Sequence, residues 1–163
     1  MDTTSTFIGI AIALIIALAI ILIQATQKKQ MKKSKKVFID LAAKNNLKIT
    51  EPEFWGTYYA IAIDEKANKL IYSKIIDDTH NETILDLSTV AKCEVIITST
   101  SLKNKTEIDT IDLAINYKNP SKAKEVLEFY NVDTNFQMNN ETELIEKWKN
   151  EIESKIMNKA QAA

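Results

Sequence analysis

The chain has no arginine, one cysteine, one histidine, two glycines and two prolines among its 163 residues. Each scarcity removes a class of chemistry. Without Arg there is no planar bidentate fork for carboxylate, phosphate or guanine; all 21 basic residues are Lys. A lone Cys93 makes neither an internal disulfide nor a cysteine-based zinc site. With only Gly9 and Gly56, neither a glycine-rich phosphate loop nor a strained nucleophile elbow can be built. The length suits one modest domain.

What the chain has in excess is aliphatic residues near its start. Phe7 to Ile23, FIGIAIALIIALAIILI, is apolar or glycine throughout, and no charge falls between Asp2 and Lys28. At about 1.5 Å per residue this uncharged stretch covers a hydrocarbon core of roughly 30 Å. A lone segment in lipid must satisfy its own backbone polar groups, so residues 7–27 are read as a transmembrane helix. A cleaved signal peptide would carry its positive charge before the run, whereas here MDTTST is acidic and the basic residues follow.

Those basic residues are Lys28, Lys29, Lys32, Lys33, Lys35 and Lys36. By the positive-inside rule they hold this flank in the cytoplasm, with residues 1–6 outside and the bulk of the chain inside a cell membrane. Such a cluster also contacts anionic lipid head groups at a membrane surface. Ser34, inside it, is the residue that would carry a regulatory charge if the contact were switched. Residues 28–50 are expected to form a basic, amphipathic helical linker. Val37, Phe38, Leu41 and Ala42 make its apolar stripe, and Asn45 and Asn46 form its end.

After Glu51-Pro52 the period changes from 3.6 to 2. Trp55–Asp64 reads as a strand, Asp64–Asn68 as a turn and Lys69–Ile76 as the returning strand. Asp77–Asn81 reads as a polar loop, and Thr83–Leu87, Lys92–Thr100 and Thr106–Tyr117 as further strands. Lys124–Asn131 fits a strand or a short helix and is taken as a strand. Asn140, then Glu143, then Leu144, Ile145, Trp148, Ile152 and Ile156 at helical spacing announce a terminal helix over 141–158, leaving 159–163 as a tail. Short turns between successive strands imply a meander. The expected fold class is α+β: an N-terminal transmembrane helix, an antiparallel sheet or sandwich, and a C-terminal amphipathic helix that caps it.

This element order, together with ELIEKWKNEI (Glu143–Ile152), resembles the pleckstrin-homology-like (PH-like) superfold. More narrowly, it resembles small bacterial single-pass membrane proteins with a PH-like cytoplasmic domain. The resemblance covers about residues 53–158 and implies a PH-like β domain over 51–158. In the lipid-binding branch of that superfold, basic residues including Arg around the first hairpin recognise inositol phosphates. The matching turn here is DEKAN and Arg is absent, so the resemblance implies the fold rather than inositol-lipid recognition.

No titratable cluster converges in sequence. His80 lies among Asp77, Asp78 and Glu82 without a second nitrogen or sulfur ligand, and the spacing matches no calcium loop. Cys93 sits in an apolar strand, Trp55, Tyr58 and Tyr59 suit a core, and Asn-X-Thr at 81, 104 and 140 needs no role in a cytoplasmic domain. No catalytic, metal or cofactor residue is assigned.

The net charge of −1 divides into −1 for residues 1–27, +6 for 28–36, and −6 for 37–163, where 15 Lys face 21 acids. An acidic domain repels nucleic acid. The reading is therefore a membrane-anchored, non-enzymatic protein whose partners are the bilayer and a protein or peptide. The alternative is a pilin-like structural or secretion-system subunit with its β domain outside the cytoplasm. Such subunits have a processing glycine with Glu five residues on, whereas Gly9 is followed at that distance by Leu14.

Overall fold

The computed structural model describes residues 3–56, 58–76, 79–102, 105–135 and 137–161. A long helix α1 (Thr3–Lys44) leads into seven strands: β1 (Thr50–Trp55), β2 (Tyr59–Asp64), β3 (Lys69–Ile76), β4 (Thr79–Asp86), β5 (Val90–Leu102), β6 (Lys105–Tyr117) and β7 (Glu125–Asn131). A single 3-10 turn at Leu87–Thr89 joins β4 to β5, and helix α2 (Glu141–Gln161) follows β7. The strands form two antiparallel sheets, one in the order β1-β2-β3-β4 and one in the order β5-β6-β7.

Strand alternation explains how one short segment serves two surfaces. Neighbouring residues of β2 point to opposite faces of the sheet. Tyr59, Ile61 and Ile63 enter the core between the sheets, with Ile61 opposite Tyr72 and Ile63 opposite Leu70. Ala60 and Ala62 face the other way, against α1. Every residue of β2 is buried as a result. Alanine at both outward positions lets the helix approach closely, which is why YAIAID lacks the polar alternation of a half-exposed strand.

The core is centred on Trp55. Its ring stacks on Tyr59 at 5.3 Å and on Phe129 at 4.8 Å, and its Nε1 donates to the Phe129 carbonyl at 2.8 Å. That bond satisfies the one polar atom of a buried indole while linking β1 to β7. α2 lies against β5 and β6 and buries Leu144, Ile145, Trp148 and Ile152, the stripe that its sequence spacing predicts.

α1 ends in a paired cap. Asn46 adopts φ of +57°, Leu47 N–H donates to the Ala42 carbonyl at 2.9 Å, and Asn46 N–H donates to that of Ala43 at 3.0 Å. Leu47 then packs beside Ala42, Phe38 and Ile71. Phe38 is fully buried and meets the Phe54 ring edge-on at 5.6 Å. The last turns of α1 are thus a layer of the fold rather than a linker.

Several boundaries differ from the sequence reading, and α2 runs on to Gln161 through residues 159–161, which that reading places in a tail. Trp55 and Tyr59 belong to separate strands, because Gly56 turns the chain at φ of +49°. Residues 50–54 belong to β1 although Glu51-Pro52 resembles a breaker in sequence. It is an edge strand, where proline costs no ladder bond, and a register shift between Thr50 and Glu53 with φ of +48° at Glu51 accommodates it. The polar segment read as a loop over 77–81 is strand from Thr79 on; Asp77 and Asp78 lie outside the described residues. β4 is also an edge, so polar residues there keep solvent on one side.

Two predictions follow from α1 and its tether. Phe38→Ala is expected to lower unfolding stability by about 3–5 kcal/mol, against less than about 0.5 kcal/mol for its half-exposed neighbour Ile39→Ala, by urea titration in detergent micelles. Buried Asp64 accepts backbone N–H bonds from Ala67 at 2.9 Å and Lys48 at 2.6 Å, which pull its pKa below the ordinary 3.8. A depressed folded pKa gives stability that is present above the ordinary value and lost as pH falls through the folded one. The advantage of wild type over Asp64→Asn should therefore be full near pH 7 and shrink below about pH 3.8, in urea titrations across that range.

Candidate functional site

Three features outside the core are candidates for function. The first is the apolar half of α1. From Ile12 to Ile23 its large side chains are at least half exposed, with Leu14 at 65% and Ile15 at 68%, and no other part of the described chain covers them. By length and composition, this is one helix near the N-terminus able to cross a membrane. At 42 residues, α1 is about 63 Å long, enough for a span and a docked segment in one rod.

The second feature is the lysine cluster. All six lysines that the sequence singles out, Lys28, Lys29, Lys32, Lys33, Lys35 and Lys36, are exposed on α1. At 100° per residue they occupy an arc of about 160°. Met31, Ser34, Phe38, Leu41 and Ala42 occupy the remaining side, which faces the sheet. Lys35, at the border of the two arcs, lies 5.0 Å from the Phe54 ring centre. Docking of the helix therefore points the positive arc away from the domain.

The third feature is a cleft of about 380 Å³ between β1 and α2, lined by Thr50, Glu51, Pro52, Glu53, Ile63, Glu65, Lys147, Trp148 and Glu151. Ile63 and Trp148, both nearly buried, form its floor. One oxygen of Glu53 accepts from both Lys147 Nζ and Trp148 Nε1, each at 2.7 Å. Lys155 donates to Glu65 at 2.7 Å and lies 3.4 Å from Glu151. These four glutamates come from β1, the β2–β3 turn and α2, about a hundred residues apart in sequence, so no local motif marks them.

A partly buried polar cluster near Glu128 has a different character. Burial opposes the charge of Glu128, but Lys74, the Tyr59 hydroxyl at 2.6 Å and Asn131 at 3.1 Å all donate to it, and the net effect lowers its pKa. Burial first, and Glu128 second, raise the pKa of Tyr59. Tyr72 donates to the Glu128 carbonyl at 2.6 Å. Each donor is engaged, so the cluster ties β7 to β2 and β3.

The remaining sequence candidates separate. Trp55 and Tyr59 are core residues, and Tyr58 is partly buried against them. His80 pairs with Ile75 in the β3–β4 ladder. Among the described residues no group of three or more His, Cys, Asp or Glu side chains is placed to hold a metal ion. Cys93 is buried, and that burial pushes its thiol up to about 12. No family model, curated protein or solved structure matches the chain.

Since the thiolate is the reactive form, maleimide labelling of Cys93 in the native protein at mildly alkaline pH is expected to be roughly a thousandfold slower than in denaturant. Stopped labelling followed by mass spectrometry measures the ratio.

Proposed function

We propose that this protein is a single-pass, membrane-anchored, non-enzymatic module that presents a PH-like β domain on the cytoplasmic side to bind a protein or peptide. The observation that carries the reading is the uncovered apolar half of α1, continuous with a segment that is an integral layer of the folded domain. Exposed aliphatic side chains in such number require an apolar medium, and a bilayer supplies one. Four strands, then three, then a capping helix is the element order expected of a PH-like domain. Orientation rests on the lysine arc: positive charge directly after the span is retained on the cytoplasmic side, where it meets anionic head groups. The domain itself, at −6 over residues 37–163, suits neither nucleic acid nor an anionic lipid head group as its own ligand.

One observation favours a second reading. A long N-terminal helix with a free apolar half and a second half packed on an antiparallel sheet also suits a pilin-like subunit with its domain outside the cytoplasm.

Topology decides between them, and buried Cys93 leaves introduced thiols readable. Thr4→Cys and exposed Ser121→Cys bracket the span. Under the anchored-module reading, an impermeant maleimide labels Thr4→Cys in intact cells and Ser121→Cys only after lysis. Labelling of Ser121→Cys in intact cells would instead support the pilin-like subunit.

A further inference from the structure

The cleft between β1 and α2 has the form of a peptide groove. One wall is β1, an edge strand with no strand paired on its outer side among the described residues. The opposite wall is α2 through Lys147, Trp148 and Glu151, and the floor is Ile63 with the Trp148 ring. An edge strand beside a helix is a common seat for an extended peptide. Pro52 removes one backbone donor from that edge, so side-chain complementarity must supply much of the recognition.

The rim chemistry selects the occupant. Glu51, Glu53, Glu65 and Glu151 surround the opening, against Lys147 and the adjacent Lys155, leaving a net charge of −2. Glu51 is exposed. Lys147, which pairs with Glu53, has a side chain 63% exposed, so solvent and a competing cation reach the pair. The carboxylates lie on three separate elements rather than around one point, which agrees with the absence of a metal-holding group among the described residues. A ligand that matches them must carry several positive charges spaced along its length and apolar stems to lie over Trp148.

We infer that the β1–α2 cleft is the docking groove for an extended, lysine- or arginine-bearing segment of a partner protein. The inference rests on the module reading above, and it specifies which surface binds and what chemistry the partner shows. Glu51, Glu53 and Glu151 pair with its basic side chains, Lys147 yields Glu53 to one of them, and Trp148 receives an aliphatic stem.

The test uses the full chain in nanodiscs of neutral phosphatidylcholine and a fluorescein-labelled octapeptide of alternating Lys and Thr, read by anisotropy. Saturable binding is expected, with an alternating Glu-Thr peptide failing to bind. The double variant Glu51→Gln, Glu151→Gln should weaken binding about tenfold, and Lys147→Gln should tighten it about threefold by removing the internal competitor. The gain in the lysine variant cannot arise from misfolding. Absence of saturable Lys-Thr binding, equal affinity in the double variant, or displacement by spermine at concentrations equal to the unlabelled peptide would overturn the inference, the last by making the cleft a polyamine site. Membrane crosslinking separates this failure from that of the module reading: a partner recovered equally by wild type and the double variant leaves the module intact and removes the groove.

Discussion

Phe38 and Ala42 of α1 pack with Ala60 and Ala62 of β2 and Ile71 of β3, and the placement of each candidate surface depends on that layer. A helix that passes from a membrane into water needs an apolar surface all round in its first part and an apolar stripe in its second. The surface of α1 changes in this way over residues 28–36, where lysines take the arc turned away from the sheet, as the anchoring proposed above requires. The sheet answers with small side chains. Larger residues at 60 and 62 would hold the helix off, uncover Phe38, and break the Phe38–Phe54 contact that brings the end of β1 under the helix. Because β2 is committed on both faces, a shift of its register by one residue would exchange the core set for the helix-facing set. Docking of the helix thus specifies the register as well as the direction of the stalk.

The two sheets are held together by packing and registered against each other by polar atoms. Trp55 Nε1 and the Tyr72 hydroxyl both donate to backbone carbonyls of β7, at Phe129 and Glu128. An apolar interface tolerates sliding, whereas a buried donor that loses its acceptor costs about 1–3 kcal/mol. These bonds therefore set where β7 sits relative to β1 and β3. Lys74 with Glu128 adds charge to the same junction, half-shielded from solvent.

Much of this was legible from period and turn chemistry. The β2–β3 hairpin, the β5–β6 pair and the stripe of α2 each combine local spacing with the matching boundary residues, so local and tertiary preferences agree. The misread segments are edges. β1 contains Glu51 and Pro52, and β4 opens on Thr79, His80 and Asn81, because an edge strand needs only one paired side and often discourages a second. The dual burial of β2 was hidden for another reason: alanine carries almost no signal about which surface it faces. The cleft was invisible because its carboxylates lie at 51, 53, 65 and 151, and only the packing of α2 over the mouth of the sheets brings them near one another.

The same packing separates the two charged surfaces. Met31 and Ser34 of α1 lie beside Trp55, Gly56 and Tyr59, at one end of β1 and β2, whereas Leu47 and Ile49 follow the helix to the other end. The cleft belongs to that far end, with Thr50, Ile63 and Glu65. From Lys28 and Lys36, the two ends of the arc, to Lys44 the helix rises about 24 Å and about 12 Å, roughly three and one and a half Debye lengths at physiological ionic strength. Over such distances salt weakens the effect of the positive arc on the glutamates and on a basic segment approaching them. The chain can therefore carry +6 and −6 on one continuous body without the two cancelling, because α1 is both the spacer that divides them and the strut that the acidic domain is folded upon.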